Sequence, residues 1–193
     1  MNETDYIAQY LEMEKQTLEA LDRDTIKAVL DALMETYQAE GTIYVFGNGG
    51  SATTASHMAN DFNKGVSEYV DRKFRFCCLN DNVATMLSIA NDISYEEIYR
   101  FQLIHKLQPK DLVIGISGSG NSANVINAVS YAKEQGVKTI GFCGFRGGKL
   151  KEIADYSFYV ALDSMKVVED LHLMMNHLLM YAVEKILGIT GAC

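Results

Sequence analysis

Apolar residues recur at helical spacing through the first 38 positions, and then the period changes. Tyr6, Ile7, Tyr10, Leu11, Leu18 and Leu21 fall largely at that spacing within 3–21, and Ile26, Val29, Leu30, Leu33, Met34 and Tyr37 do so within 25–38. The polar break LDRD at 21–24 separates two opening helices and offers Asp24 as the cap of the second. From residue 42 the pattern alternates. Short β-branched or aromatic runs at 42–46 (TIYVF), 74–79 (FRFCCL), 112–116 (LVIGI), 139–143 (TIGFC) and 157–162 (SFYVAL) predict strands. Helical stretches are expected between them near 51–64, 83–90, 94–107, 122–135 and 147–154, and a long amphipathic helix is expected over about 165–187. Pro109, the single proline, is expected to end the helix before the third strand. Strand and helix in repeated alternation read as a parallel sheet covered on both faces. The fold class is therefore α/β, a three-layer α/β/α sandwich, and residues 1–193 form one domain with no linker, repeat or low-complexity segment.

Composition narrows the partners. Apolar residues make up 48 % and charged residues 22 %, the profile of a soluble globular domain. The net charge of −8 and the lack of any Lys/Arg-rich run argue against nucleic acid or an anionic membrane surface as the main partner. No apolar run approaches the ~20 residues of a membrane helix, and the polar, acidic opening MNETDYIAQY does not read as a secretory signal. Cys77, Cys78, Cys143 and Cys193 form no CxxC pair, and two adjacent strand residues point to opposite faces. Reduced thiols in a cytoplasmic protein are expected.

Two glycine- and serine-rich stretches, FGNGGSATTASH at 46–57 and GISGSGNSANV at 115–125, each follow a strand and open a helix. That places them at the carboxyl edge of the sheet, where helix starts offer free N–H groups to an anion. Both match the GxGxx(G/A) spacing, as Gly47-x-Gly49-x-x-Ala52 and Gly118-x-Gly120-x-x-Ala123. Neither is followed ~20 residues on by the strand-end acid that a dinucleotide site requires, so a nicotinamide-dependent oxidoreductase is disfavoured. GGKL at 147–150 lacks the Ser or Thr and the first Gly of a phosphate loop. Serine richness points instead to a compact phosphate monoester, with Ser117, Ser119 and Ser122 donating to its oxygens beside the amides near Gly120 and Asn121, and Ser51 serving the other loop. The plain alternative is that these residues only make turns and caps.

The same residues resemble the sugar isomerase (SIS) domain family, and within it the phosphoheptose isomerases. The likeness rests on the two opening helices, GNGGSA at 47–52, the Asn91–Asp92 pair, Ser117 to Ser122 as SxSGNS, and His172 and His177 on the last helix. It implies a flavodoxin-like five-stranded parallel sheet and a homotetramer, with residues 1–38 serving oligomerisation and active sites at subunit interfaces. It also implies conversion of sedoheptulose 7-phosphate to D-glycero-D-manno-heptose 7-phosphate through an enediol. By the same likeness Ser51, Ser117, Gly118, Ser119 and Ser122 hold the phosphate and neighbouring hydroxyls, and Asn48, Gly49, Gly50, Asn91 and Asp92 line the sugar. A divalent metal, zinc, falls to His57, Asp61, Glu169 and His177, with Asp61 and His177 as the acid/base groups and Glu169 also facing substrate.

His57 and Asp61, at i and i+4, share one helical face, whereas Glu169 and His177 lie roughly 12 Å apart along a straight helix. His105 reads as a cation in the last turn of a helix, and Met174, Met175 and Met180 as core fillers. Three residues depart from the family pattern: Asp61 replaces the usual glutamate, Glu169 a glutamine, and Lys166 an acid. A non-catalytic phosphosugar sensor, or a regulator of the type that associates with a replication initiator, is the competing reading. The joint presence of all four metal-site residues favours the enzyme.

Overall fold

The computed structural model describes residues 3–190. Its terminal positions, Cys193 among them, lie outside the described residues. Five strands, β1 (Ile43–Gly47), β2 (Phe76–Cys78), β3 (Leu112–Ser117), β4 (Lys138–Cys143) and β5 (Tyr156–Tyr159), form one sheet in the order β2-β1-β3-β4-β5, all parallel. The three central strands are buried on both faces, which is why their sequences run apolar without alternation. One core lies on the face covered by α2 (Arg23–Gln38), α3 (Gly50–Asn60) and α8 (Met165–Ile186), including Val45, Phe62, Ile114, Phe142, Phe158 and Leu179. The other lies against α6 (Ala123–Glu134), with Phe46, Tyr99, Val113 and Val129. Three layers result. No helix among the described residues is long and apolar enough to cross a membrane.

Several local readings shift. The cap of α2 is Asp22, not Asp24: Asp22 Oδ1 accepts from the backbone N–H of Asp24 at 3.0 Å and of Thr25 at 3.4 Å. The expected helix at 94–107 is broken into a 3₁₀ turn, Tyr95–Glu97, and a single short helix, α5 (Arg100–Leu103). The segment ends well before Pro109, and His105 follows α5 with φ 59°, so it terminates no helix dipole. The strand expected at 157–162 ends at Tyr159, and that expected at 74–79 is trimmed to three residues. Cys77 is exposed and Cys78 buried, as opposite strand faces demand. Met175 is core, with Met174 and Met180 packed against it.

The first helix, α1 (Glu3–Glu19), forms where its spacing predicts. None of its residues is buried. Tyr6, Ile7 and Leu11 are 56–63 % exposed, so this apolar stripe faces away from the domain's own core. Only Tyr10, Met13 and the following Leu21 pack inward, and the Tyr10 hydroxyl donates to Asp170 on α8.

Candidate active site

Strands β1 and β3 are neighbours in register, Gly47 opposite Ile116, so the loops that leave them start side by side. The helices they open are α3 and α6. Neither helix start has a side-chain cap: Gly49, with φ 53°, precedes α3, and Ser122 precedes α6 with its hydroxyl turned to Ser117 Oγ at 3.0 Å. At α3 the Ser51 and Ala52 N–H groups already donate to the Asn48 and Gly49 carbonyls, at 2.9 and 3.0 Å, and at α6 the Val125 N–H donates to Asn124 Oδ1 at 2.9 Å. Among the described residues the Ala123 and Asn124 N–H groups that open α6 stay unspent, the arrangement that attracts an anion. Between them opens a cleft of about 180 Å³ lined by Asn48, Ser51, Ser117, Gly118, Ser119, Ser122, Met165 and Glu169. A larger groove, about 540 Å³, lies between α1, the start of α2 and β5, away from both loops.

A side-chain network fixes the cleft's shape. Asn48 and Asn124 exchange two amide hydrogen bonds, each 2.9 Å, and so tie one loop to the start of the other helix. Asn48 Oδ1 also accepts from the Tyr99 hydroxyl at 3.0 Å and the Tyr95 hydroxyl at 3.2 Å. Asn48 thus lines the cleft, but its carbonyl is committed to the scaffold. Asn80 embraces Gly47, its Nδ2 donating to the Gly47 carbonyl at 2.9 Å and its Oδ1 accepting from the Gly47 N–H at 3.2 Å. Burial pushes the Tyr99 hydroxyl up to about 12, which keeps it a neutral donor. A third loop braces the second: the Gly144 N–H donates to the Gly118 carbonyl at 2.8 Å and the Leu150 N–H to the Gly120 carbonyl at 2.9 Å. GGKL is this brace. Gly147 and Gly148, with φ of 86° and 58°, turn the chain into the short helix α7 (Gly148–Ile153) directly against Gly120.

The ionisable cluster sits further along α3. His57 Nε2, Asp61 Oδ2 and His177 Nε2 converge, with separations of 3.2 Å (His57–Asp61), 3.3 Å (His57–His177) and 3.7 Å (His177–Asp61). A tetrahedral ion with metal–nitrogen bonds of 2.0–2.1 Å separates its ligands by about 3.3 Å, so the donor set fits zinc or a similar divalent ion. Two imidazole nitrogens facing each other beside one carboxylate are the donors such an ion selects. Asp61 opens a π-helical turn, Asp61–Val66, directly after α3. Such turns re-aim side chains relative to a regular helix.

Glu169 stands outside this group. Its carboxylate lies over Gly50, where a Cβ added to that glycine would meet Glu169 Oε2 at 2.5 Å. Helices α3 and α8 thus run side by side in the same direction: Glu169 meets the start of α3, and eight residues later His177 meets His57. At 1.5 Å rise per residue the two contacts are about 11 Å apart, too far for one ion to bridge. Glu169 instead puts a negative charge at the start of α3 inside the cleft. Asn91 and Asp92 end α4 (Val83–Asp92), are exposed, bond to each other at 2.8 Å, and do not line the cleft of the same chain. Lys166 is exposed, one turn before Glu169. Cys143, at the end of β4, is no nucleophile: burial pushes its thiol up to about 12.

Residues 5–144 match the description of the SIS domain. The chain belongs to the SIS domain family. Among its relatives, the phosphoheptose isomerase of Helicobacter pylori strain P12 is 34 % identical over 171 residues, covering 89 % of this chain and 88 % of that protein. That of Thermodesulfovibrio yellowstonii is 38 % identical over 164 residues, covering 84 % and 80 %. The phosphoheptose isomerase structure from Francisella tularensis superposes with a TM-score of 0.88 at 24 % identity, over 96 % of this chain and all of that one. The Neisseria gonorrhoeae structure gives 0.87 at 23 %. These two share the SIS fold found here, including its five-stranded parallel sheet.

The place of the serine loop, at a strand-to-helix junction beside the loop of β1, was legible from its glycines and hydroxyls. Asn124, Asn80 and Tyr99 were not. Asn124 had one signal, its place two residues after Ser122 in NSAN, but its partner is 76 positions away.

Proposed function

We propose that the protein is an aldose–ketose isomerase that interconverts sedoheptulose 7-phosphate and D-glycero-D-manno-heptose 7-phosphate. The observation that carries this reading is the convergence of two uncapped helix starts and four serines on one small cleft. Relatives named phosphoheptose isomerase align over most of the chain at 34–38 % identity. The phosphate is held by Ser117, Ser119, Ser122 and the α6 N–H groups. Glu169 already supplies a carboxylate at the α3 start, so the second anion belongs at α6. Glu169, Ser51 and the Gly49–Gly50 backbone then face the hydroxyl-bearing carbons.

Isomerisation takes a proton from C1 of the ketose and returns one to C2, while the hydroxyl proton passes from O1 to O2. Asp61 and His177 are assigned these transfers. Asp61 Oδ2 is turned to the histidines, which leaves Oδ1 to exchange a proton. A divalent metal, zinc, would be held by His57, Asp61 and His177 and would polarise the sugar carbonyl as a Lewis acid. The working unit is a homotetramer with sites at subunit contacts. The outward apolar stripe of α1 and the position of Asn91 and Asp92 off their own cleft support that arrangement. The three cysteines among the described residues are free, which suits a reducing cytoplasm.

The test is incubation with sedoheptulose 7-phosphate in deuterated water, followed by NMR. The expected product is the aldose carrying deuterium at C2. Binding without turnover would overturn the enzyme reading in favour of a phosphosugar sensor.

A further inference from the structure

Asn176 immediately precedes His177 on α8 and is fully enclosed, with no exposed surface. Its Nδ2 donates to Asp61 Oδ2 at 2.6 Å, across 115 positions of chain. This is the same oxygen that faces His57 and His177. A carboxylate offers no proton of its own, so the amide nitrogen must be the group turned toward it. The other half of the side chain gains nothing: Asn176 Oδ1 is buried with no hydrogen-bond partner among the described residues. An enclosed carbonyl without a donor carries its full desolvation penalty. A leucine at this position would fill similar space without that penalty. Packing therefore gives no reason for an amide here, and the bond to Asp61 does.

Among the described residues the Asp61 carboxylate accepts one other hydrogen bond outside the cluster, from Asn60 Nδ2 to Oδ1 at a long 3.4 Å. Without Asn176 the short carboxylate is free to rotate Oδ2 away from the imidazoles. We propose that Asn176 is the positioning residue of the metal-binding carboxylate, holding Asp61 Oδ2 in line with His57 and His177. The proposal rests on the reading of these three residues as a metal site. Groups that orient metal ligands typically govern affinity by 10–100-fold.

The test uses Asn176→Leu and, should that variant misfold, Asn176→Ala. Zn²⁺ affinity is read by competition with a chromophoric chelator, and Co²⁺ loading by its visible absorption. The expected result is a 10–100-fold weaker Zn²⁺ affinity and an altered Co²⁺ spectrum. The thermal midpoint of the metal-free protein should be unchanged, or higher for Asn176→Leu. In the metal-free wild type, NMR of ¹⁵N-asparagine-labelled protein should show a slowly exchanging Asn176 amide pair that Asp61→Ala shifts. Unchanged metal affinity and spectrum in the variants would overturn the proposal alone. So would an affinity loss that only tracks a fallen thermal midpoint, or an Asn176 signal indifferent to Asp61→Ala. Failure of the wild type to take up either metal would overturn the metal reading and the proposal with it.

Discussion

His172 illustrates how a single side chain sets a property of the whole protein. It is 1 % exposed, packed between Phe142 and Phe158 at 5.7 and 6.0 Å, and neither ring nitrogen has a hydrogen-bond partner among the described residues. Burial pushes its imidazole down to about 4, countered only in part by the nearby backbone of Cys143. The unfolded chain binds this proton near pH 6.5 and the folded chain near 4, so stability is lost as pH falls between those values and levels off below. The contribution is about 2 kcal/mol between pH 7 and pH 5. Urea titrations at the two pH values should show it, and His172→Phe should remove most of the difference. At the cleft, Ser117→Ala or Ser122→Ala should each weaken sugar-phosphate binding by about 10-fold, read by calorimetry, while the fold stays intact. Residues of this kind were legible in sequence to the extent that their chemistry was specialised. The clustered serines and the i, i+4 pair His57 and Asp61 stood out by their spacing. His172 read only as a family position, and its neighbours, which decide its behaviour, come from strands remote in the chain.

At the scale of the element, loops rather than helices decide whether the site exists. Gly120 has φ 66°, and a Cβ there would stand 1.9 Å from the Gly147 carbonyl oxygen. Gly120→Ala therefore forces a strained backbone and pushes the serine loop off the loop that braces it. The expected cost is about 2 kcal/mol or more, seen in chemical denaturation, together with loss of sugar-phosphate binding. Strand existence and order of appearance were readable from apolar runs, because parallel strands buried on both faces have no other way to be written. Element ends were less readable. Asp22 and Asp24 are both good caps by type, and only the extended backbone at Asp22 (φ −76°, ψ 107°) decides between them. The broken segment at 94–107 carries helix-like spacing, but its apolar residues Ile98, Tyr99 and Leu103 are drawn into the core from a turn and a single short helix.

At the scale of the molecule, α1 sets the agenda. A helix that packs only Tyr10 and Met13 against its own core while exposing Tyr6, Ile7 and Leu11 recovers little of its conformational entropy within one chain. Leu11→Lys should lower the assembly state measured by light scattering without lowering the far-ultraviolet helix signal of the domain. If subunits share sites, with Asp92 serving a neighbour's cleft, mixing Asp92→Ala chains with His177→Ala chains should give more activity than either variant alone. The helical period of α1 was plain in sequence, but period alone does not say whether an apolar face meets its own domain or another. The all-parallel sheet carries a last consequence. Its pairings, from Ile43 with Phe76 to Ile140 with Tyr156, join segments at least 16 positions apart, so no hairpin can seed it. During refolding the capacity to capture a sugar phosphate must arise late and at once, after four crossovers have docked, and a fluorescent ligand added to the refolding chain would time the final step.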